Sequence, residues 1–285
     1  MGTPGTLFVV ATPLGNLEDI TLRALRVLKE VGMIAAEDTR HSRKLLAHYG
    51  ITTPLTSYYD ENERHKAPAL VEQVKHGKSL ALISDAGTPG IADPGYHLVR
   101  AAIAAGVRVV PIPGPSAVAA ALSVAGLPTD RFAFDGFVPA KVGARRKFFT
   151  ALAQETRTLV VYEAARRLEG CLQDLHEILG NRQVVMLREL TKLFEEIVRG
   201  PVSEVAVQLR ERAATRPLQG EVTLVIAAGA PPAPVPAEDL TTAIQRLRGE
   251  GMSLKEIARV LARERSLSRR QVYQAGLALP AEHKA

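Results

Sequence analysis

Tryptophan is absent from the 285 residues, and cysteine occurs once, at Cys171. One thiol excludes an intramolecular disulfide framework and a cysteine-based zinc finger, and it suits a reducing compartment. The seven histidines are scattered and no HExxH pair occurs, so no metal is expected. His41, His48 and His97 show neither ligand nor triad spacing and read as structural. Long apolar runs are missing too. LFVVA and TLVVY fall far short of the ~20 residues that a membrane helix needs. No basic region followed by an apolar stretch opens the chain, so no secretory signal is expected and the cytoplasm is the expected location. Three familiar loops are also lacking: GxxxxGK[ST], GxGxxG after the first strand, and GxSxG. Their absence argues against P-loop chemistry, a dinucleotide Rossmann site, the glycine-rich loop of most methyltransferases, and a hydrolase elbow.

What remains is a globular composition, 46% hydrophobic and 23% charged, long enough for about two domains. Lys and Arg number 36 against 30 Asp and Glu, giving +6 and a pI near 9.5. That surplus fits a polyanionic partner such as nucleic acid or an acidic membrane surface, or simply a basic enzyme. Apolar β-rich runs are expected as strands at 7–11, 33–36, 79–84, 107–112, 158–162, 183–187 and 221–227. Amphipathic stretches alternate with them, at 21–31, 41–49, 63–76, 96–105, 145–153, 167–179 and 202–213. Such alternation argues for an α/β fold with mainly parallel pairing, its strands covered on both faces.

The proline-rich turn PIPGPS at 111–116 closes the regular first half. GAPPAPVPAED at 229–239 is a Pro/Ala spacer. The expected division is therefore 1–113, 114–229, a linker at 230–237, and a helical tail at 238–285. The tail has three expected helices, at 238–249, 254–265 and 269–278, with capping-box patterns at Ser253/Glu256 and Ser268/Gln271. Nine of its residues are basic and six acidic, so it carries half the net charge. Its last two helices, the second opening with Arg269 and Arg270, suit a helix-turn-helix that contacts nucleic acid; the alternative is a small helical cap.

Three strands run into loops of small residues and proline: ATPLGNLEDIT (11–21), SDAGTPGIADPG (84–95) and PGPSAV (113–118). Ligands of open α/β sheets sit outside the carboxyl ends of strands, so the three loops predict a ligand cleft. Asp85 and Asp93 suit ribose hydroxyls or an amino group rather than a phosphate. A second set of segments is polar. EDTRHSRKLL (37–46) carries Arg40, FVPAKVGARRKFF (137–149) carries Lys141, Arg145, Arg146 and Lys147, and RELTKLFEE (188–196) carries Arg188, Glu189 and Lys192. Solvated helix faces explain these as well as function does, although arginine forks suit the phosphates of a polynucleotide.

Taken in order, VATPLGNLEDIT, AEDTRHSRKLL, SDAGTPGIADPG, PGPSAVAAALSVAGLP, FDGFVPAKVGARRK, VVYEAARR, RELTKLFEE and GEVTLVIAAG closely resemble the 16S rRNA cytidine 2′-O-methyltransferase family. This is the RNA-acting branch of the tetrapyrrole-methylase-like enzymes, and the resemblance runs from Thr6 to about Leu279. It implies S-adenosylmethionine (SAM) as methyl donor, in a cleft between two α/β subdomains, ahead of the small helical tail domain read above. It implies a homodimer, and the ribose of a cytidine in the decoding region of the small ribosomal subunit as acceptor. The donor-side positions it implies are Leu14, Asp85, Gly87, Thr88, Ser116, Ala117, Tyr162 and Thr223, with Asp93 supporting its loop. The RNA-side candidates are Lys141, Arg145, Arg146, Arg166, Arg269 and Arg270. One stretch departs from the family: where YESPHR is usual, Ala164, Ala165 and Arg166 replace Ser, Pro and His, so no role for that histidine carries over.

A sulfonium methyl is already activated, so no metal is required, and catalysis is expected to lie mainly in holding the 2′-oxygen in line. A base or a nearby cation should help a 2′-hydroxyl lose its proton. Lys192, Glu189 and Arg40 are the candidates. Two readings compete with RNA methylation. One is a methylase of a tetrapyrrole or other small molecule; the other is a non-catalytic RNA-binding or ribosome-assembly factor.

Overall fold

The computed structural model describes residues 5–215, 217–229, 239–264 and 267–279. Residues 1–229 form one compact unit and the chain from 230 onward forms another. The spacer expected at 230–237 lies outside the described residues. No helix among those described is long and apolar enough to cross a membrane.

The first unit contains two five-stranded sheets. In the first, β1 (Thr6–Val10), β2 (Met33–Ala36), β3 (Leu55–Ser57), β4 (Leu80–Ile83) and β5 (Arg108–Ile112) run parallel in the order β3-β2-β4-β1-β5. The central β4, LALI, is buried throughout, as a strand covered on both faces must be. Helices α1 (Leu22–Glu30) and α2 (Thr39–His48) cover one face, where Val27, Leu28, Leu45 and Leu46 meet Val10, Ile34 and Ile83. Helices α3 (Glu63–Lys75) and α4 (Tyr96–Ala104) cover the other, with Leu70, Val74 and Leu98 on Leu7 and Leu82. Thr21 and Asp38 start α1 and α2 by accepting backbone N–H bonds from Ala24 and Arg40.

The second half adds α5 (Ala117–Ala125), β6 (Phe132–Phe137), α6 (Val142–Ala151), β7 (Thr158–Ala164), α7 (Leu168–Leu179), β8 (Gln183–Arg188), β9 (Glu196–Pro201), α8 (Val202–Thr215) and β10 (Glu221–Ile226). Its sheet has the order β6-β7-β10-β8-β9. Only β6–β7 is parallel; the other three pairings are antiparallel. The expectation of mainly parallel pairing therefore fails for this sheet. A strand buried on both faces reads as the same apolar run whichever way its neighbours point, and a short connection such as 189–195 can only join antiparallel neighbours. Helices α6, α7 and α8 pack on one face through Phe149, Leu172 and Val205, and α5 packs on the other through Val118, Ala121 and Leu122.

In the second unit, α9 (Leu240–Gly249), α10 (Leu254–Glu264) and α11 (Arg269–Leu277) enclose Ile244, Leu247, Ile257, Leu261 and Val272. Both capping boxes form: Glu256 accepts from Ser253 N–H at 3.0 Å, and Gln271 accepts from Ser268 N–H at 3.0 Å. A β-carbon on Gly276 would overlap Leu254, so glycine lets α11 lie close to α10.

Candidate active site

The parallel first sheet sends its carboxyl-end loops to one side, where they bind one another. Thr12 after β1 and Gly87 after β4 exchange backbone hydrogen bonds of 2.8 and 3.0 Å. The Thr12 hydroxyl also donates to the Ser84 carbonyl at 3.0 Å. Thr88 Oγ1 donates to the Pro115 carbonyl at 3.1 Å, tying in the loop after β5. The loop after β2 joins through carboxylates: Asp85 N–H donates to Glu37 Oε2 at 3.2 Å, and Asp38 N–H donates to Asp85 Oδ1 at 3.0 Å.

The second sheet supplies the opposite wall. Tyr162 near the end of β7, Leu187 on β8 and Thr223 on β10 face the same space, as does the loop after β8. Glu189 and Thr191 in that loop hold positive φ values of 53° and 65°, conformations that residues with a β-carbon seldom adopt. Hydrogen bonds hold the loop there. Glu189 N–H donates to the Glu221 carbonyl at 3.1 Å, and Glu189 Oε1 accepts from Glu221 N–H at 3.2 Å and from Lys192 Nζ at 2.9 Å. Gly220 makes the room, since a β-carbon on it would overlap the Glu189 carboxylate. The loop then reaches the first sheet: the Lys192 stem crosses Gly15 so closely that a β-carbon there would overlap it, and Asn16 N–H donates to Thr191 Oγ1 at 3.2 Å.

Between the two sheets lies a cavity of about 280 Å³. Leu14, Asp85, Gly87, Thr88, Ser116, Ala117, Tyr162 and Thr223 all line it. Lys192 and Glu189 line it as well. Arg40 does not: its guanidinium is exposed and closes back on its own helix-capping Asp38 at 3.2 Å. Sequence reasoning missed Glu37, Phe137, Leu190 and Glu221 and gave Asp93 only a supporting place; all five line the cavity. Glu221 was within reach, because residues two apart on a strand share a face and Thr223 was recognised. Phe137 was not. A register shift between Phe134 and Phe137 in the β6–β7 pairing re-aims it; Gly136, at φ 69°, marks that bulge but does not tell which face Phe137 takes.

The charge of the cavity is acidic. Glu37, Asp85, Asp93, Glu189 and Glu221 line it, with Lys192 as the one lining cation among the described residues. Burial lifts the Glu37 carboxyl above the usual range, with the Asp85 N–H opposing and the charges of Asp85, Asp60 and Glu221 reinforcing. Burial, together with the charges of Glu37, Asp85 and Glu221, pushes Asp93 up to about 7 against the lowering effect of the Ser84 hydroxyl. Burial and the Asp93 charge push the Tyr162 phenol up to about 12. Glu189 goes the other way. Burial raises it, but Lys192 and the Glu221 N–H outweigh burial and hold it below the usual range.

The polar residues expected to face RNA separate into two kinds. Lys141 and Arg166 are exposed in the first unit, and Arg269 and Arg270 in the second. Arg145 is buried, contrary to expectation. Its Nε donates to Asp174 Oδ2 at 2.7 Å, with side chains 9% and 7% exposed, so it clips α6 to α7 and presents nothing to a polyanion. Arg146, 44% exposed, bonds Asp174 Oδ1 and Glu177 Oε2, each at 2.6 Å, and shares Asp174 with Arg145. In the departing stretch, Ala165 is buried at the start of a single 3₁₀ turn, and Glu163 is buried against Arg167.

The family model for Tetrapyrrole (Corrin/Porphyrin) Methylases matches residues 6–206. A Synechocystis sp. protein named ribosomal RNA small subunit methyltransferase I is 45% identical over 282 residues, covering 98% of this chain and 99% of that one. Its namesake in Escherichia coli O157:H7 is 46% identical over 275 residues, covering 96% and 95%. The structure of uroporphyrin-III-C-methyltransferase from Thermus thermophilus superposes with a TM-score of 0.55 at 22% identity, covering 78% of this chain and 94% of that one, which is a likeness of fold. Matched nearly end to end to proteins of that name, and carrying their two-sheet architecture, the chain belongs to the ribosomal RNA small subunit methyltransferase I family within the tetrapyrrole methylases.

Proposed function

We propose that the protein transfers a methyl group from SAM to the ribose 2′-oxygen of a cytidine in the decoding region of the 16S rRNA of the small ribosomal subunit. The observation that carries this reading is the cavity between the sheets, which gathers every position that the family resemblance gives to the donor. The cavity's chemistry suits that ligand. SAM bears a net positive charge near neutral pH, and five carboxylates line the space. Leu14, Leu187, Leu190, Phe137 and Tyr162 offer apolar and aromatic wall for an adenine, and Thr88, Ser116 and Thr223 offer hydroxyls for polar groups. Gly87, at φ 83°, brings backbone close to the space where a side chain would intrude.

Bound there, SAM supplies an electrophilic methyl group on a sulfonium. The protein's own task is to bring the 2′-oxygen into line and to manage its proton. Lys192 stands on the wall with its ammonium fixed by Glu189, so it offers a positive charge to an oxygen that becomes negative. Lys141, Arg166, Arg269 and Arg270 are the exposed cations available to phosphates, and a homodimer is the expected assembly. Arg40 drops out of the catalytic set.

The test is methyl transfer from labelled SAM to small subunits lacking ribose methylation at the decoding site, followed by nucleoside analysis. Label in 2′-O-methylcytidine at one position is the expected result. SAM binding without label in rRNA would point to another acceptor, and neither binding nor label would overturn the reading.

A further inference from the structure

We propose that the solvent face of α2 is the surface on which the rRNA backbone docks, Arg43 and Lys44 each holding a phosphate of the strand that carries the target ribose. The proposal rests on the methyltransferase reading above and deepens it. Neither residue lines the cavity, and neither is among the cations that the family resemblance offers to RNA.

The face is basic throughout. Helix α2, TRHSRKLLAH, holds no acidic residue, and it turns Ser42, Leu45 and Leu46 inward. At 3.6 residues per turn, that leaves Arg40, Arg43 and Lys44 to the solvent side, with His41 and His48 beside them, and all five are exposed. Arg40 is answered by Asp38, the residue that caps the helix. Among the described residues, Arg43 and Lys44 meet no carboxylate. Other exposed helices set an acid one turn from a cation: Arg26 with Glu30 on α1, Lys75 with Glu72 on α3, and Arg246 with Glu250 on α9.

That arrangement works against the free helix. Arg43 and Lys44 stand three and four residues after Arg40, and like charges at those spacings repel one another. No ion pair on Arg43 or Lys44 offsets the repulsion. A row of phosphates would remove it, and the counterions released from the RNA would add to the gain. The two side chains suit that partner, arginine as a planar fork for phosphate oxygens and lysine as a point charge.

Helix α2 is also fixed to the cavity at both ends. At its start, Asp38 N–H donates to Asp85 Oδ1 at 3.0 Å. Just past its end, the Tyr49 hydroxyl donates to the Leu17 carbonyl at 2.7 Å. Asp85 lies in the loop 84–95 and Leu17 in the loop 11–21, and both loops line the cavity. Phosphate contacts set register and orientation rather than read sequence. A strand seated on a helix braced in this way is held at a fixed offset from the methyl donor. Its phosphates stay on the cations while the ribose enters the acidic space.

The experiment measures binding of small subunits lacking ribose methylation at the decoding site, as a function of salt, together with steady-state KM and kcat. The proteins are wild type, Arg43→Ala, Lys44→Ala, the double reversal Arg43→Glu with Lys44→Glu, and Lys75→Ala as a control on α3, which covers the other face of the sheet. SAM affinity is followed by calorimetry and oligomeric state by sedimentation. Each α2 alanine variant should flatten the logarithmic salt slope by about 0.7–0.9, and the double reversal should weaken binding by roughly 25–60-fold or more at about 0.1 M salt. The KM for subunits should rise in step, while kcat at saturating subunits, SAM affinity and oligomeric state hold. Lys75→Ala should match wild type. SAM binding by the double variant shows that it is folded; if it does not fold, the slopes of the two alanine variants decide. A wild-type slope in the α2 variants, an equal loss in Lys75→Ala, or weaker SAM binding in the alanine variants would each overturn the assignment. So would a changed oligomeric state, which would make α2 a contact between copies of the chain. Product from wild type with indifferent α2 variants refutes the surface alone, whereas no 2′-O-methylcytidine from wild type refutes the reading beneath it.

Discussion

Replacing Arg145 with alanine should unfold the protein more easily and leave its recognition of RNA intact. The Arg145 guanidinium lies over Gly170 on α7, with Nη2 only 3.1 Å from where a β-carbon would stand, and its Nε bonds Asp174 at 2.7 Å. Removing one partner of a buried ion pair costs about 3–5 kcal/mol, because the other charge stays behind without its match. Arg146 remains on the second oxygen of Asp174, which places the expected loss near the lower end, about 3 kcal/mol. At roughly 2–4 °C per kcal/mol for a unit of this size, the melting temperature should fall by about 6–12 °C. Arg145→Ala with Asp174→Ala should melt above the single variant, since no stranded carboxylate remains.

The pH dependence has a definite sign. Burial pushes the Asp174 carboxyl up, and the two arginines more than offset it, leaving it below its ordinary value. A carboxyl lowered in the folded state adds stability above its unfolded pKa of about 3.9. That stability is lost as pH falls through the lowered folded value. The gap between wild type and Arg145→Ala should thus be full at pH 7 and close below about pH 4. Calorimetric melts and steady-state methylation of small subunits measure the two sides of the argument. An unchanged melting temperature with a raised KM for subunits would refute it, and would return Arg145 to the RNA-facing surface.

Gly220→Ala strains a backbone at φ 94° and drives a β-carbon into Glu189, so it should cost about 1–3 kcal/mol and also lower kcat by displacing the partner of Lys192; normal turnover would show that the place of Glu189 is immaterial. Cys171 is fully buried on α7, and burial and the Glu163 charge push its thiol well above the usual range, so a thiol reagent should label the chain only after unfolding. Prompt labelling of the native protein would contradict that packing. Arg166→Ala and Lys141→Ala should each flatten the logarithmic salt dependence of RNA binding by roughly 0.7–0.9, whereas Arg145→Ala should leave the slope alone.

The parts of this protein that announce themselves in sequence are those whose residue types are forced by local geometry. Loops that bring backbone to a cavity need glycine and proline, so 11–21, 84–95 and 113–118 stood out, and the structure gathers all three. Strands covered on both faces need continuous apolar runs, so the central ones stood out too. The three unexpected strands, β3, β6 and β9, are all sheet edges. An edge is only half covered, and FAFDGF and EIVRGP mix apolar with polar residues accordingly. Helix α5, AVAAALSVA, has almost no polar face to mark its period. Charged residues were the least legible, because their roles depend on partners distant in sequence. Arg145 and Asp174 are 29 positions apart, Asp85 and Glu37 48 apart, and neither pairing leaves a trace in spacing.

Charge is distributed here in a way that composition alone would hide. The chain carries +6, yet its cavity is lined by five carboxylates and one lysine. On the proposed function this contrast separates two ligands of opposite sign. An RNA backbone is drawn to the exposed cations and repelled by the cavity, whereas a sulfonium donor is drawn into the cavity and has no attraction to the basic surface. Lys192 stands on the boundary, its stem over Gly15 of the first sheet and its ammonium on Glu189 of the second. A hydroxyl extended toward that lysine enters an acidic space without its phosphate having to follow. Reversing the sign at that point should therefore act on the acceptor and not on the donor: Lys192→Glu should raise the KM for subunits and depress kcat while SAM binding holds or tightens. Weaker SAM binding in that variant would show that the cavity does not sort its ligands by charge.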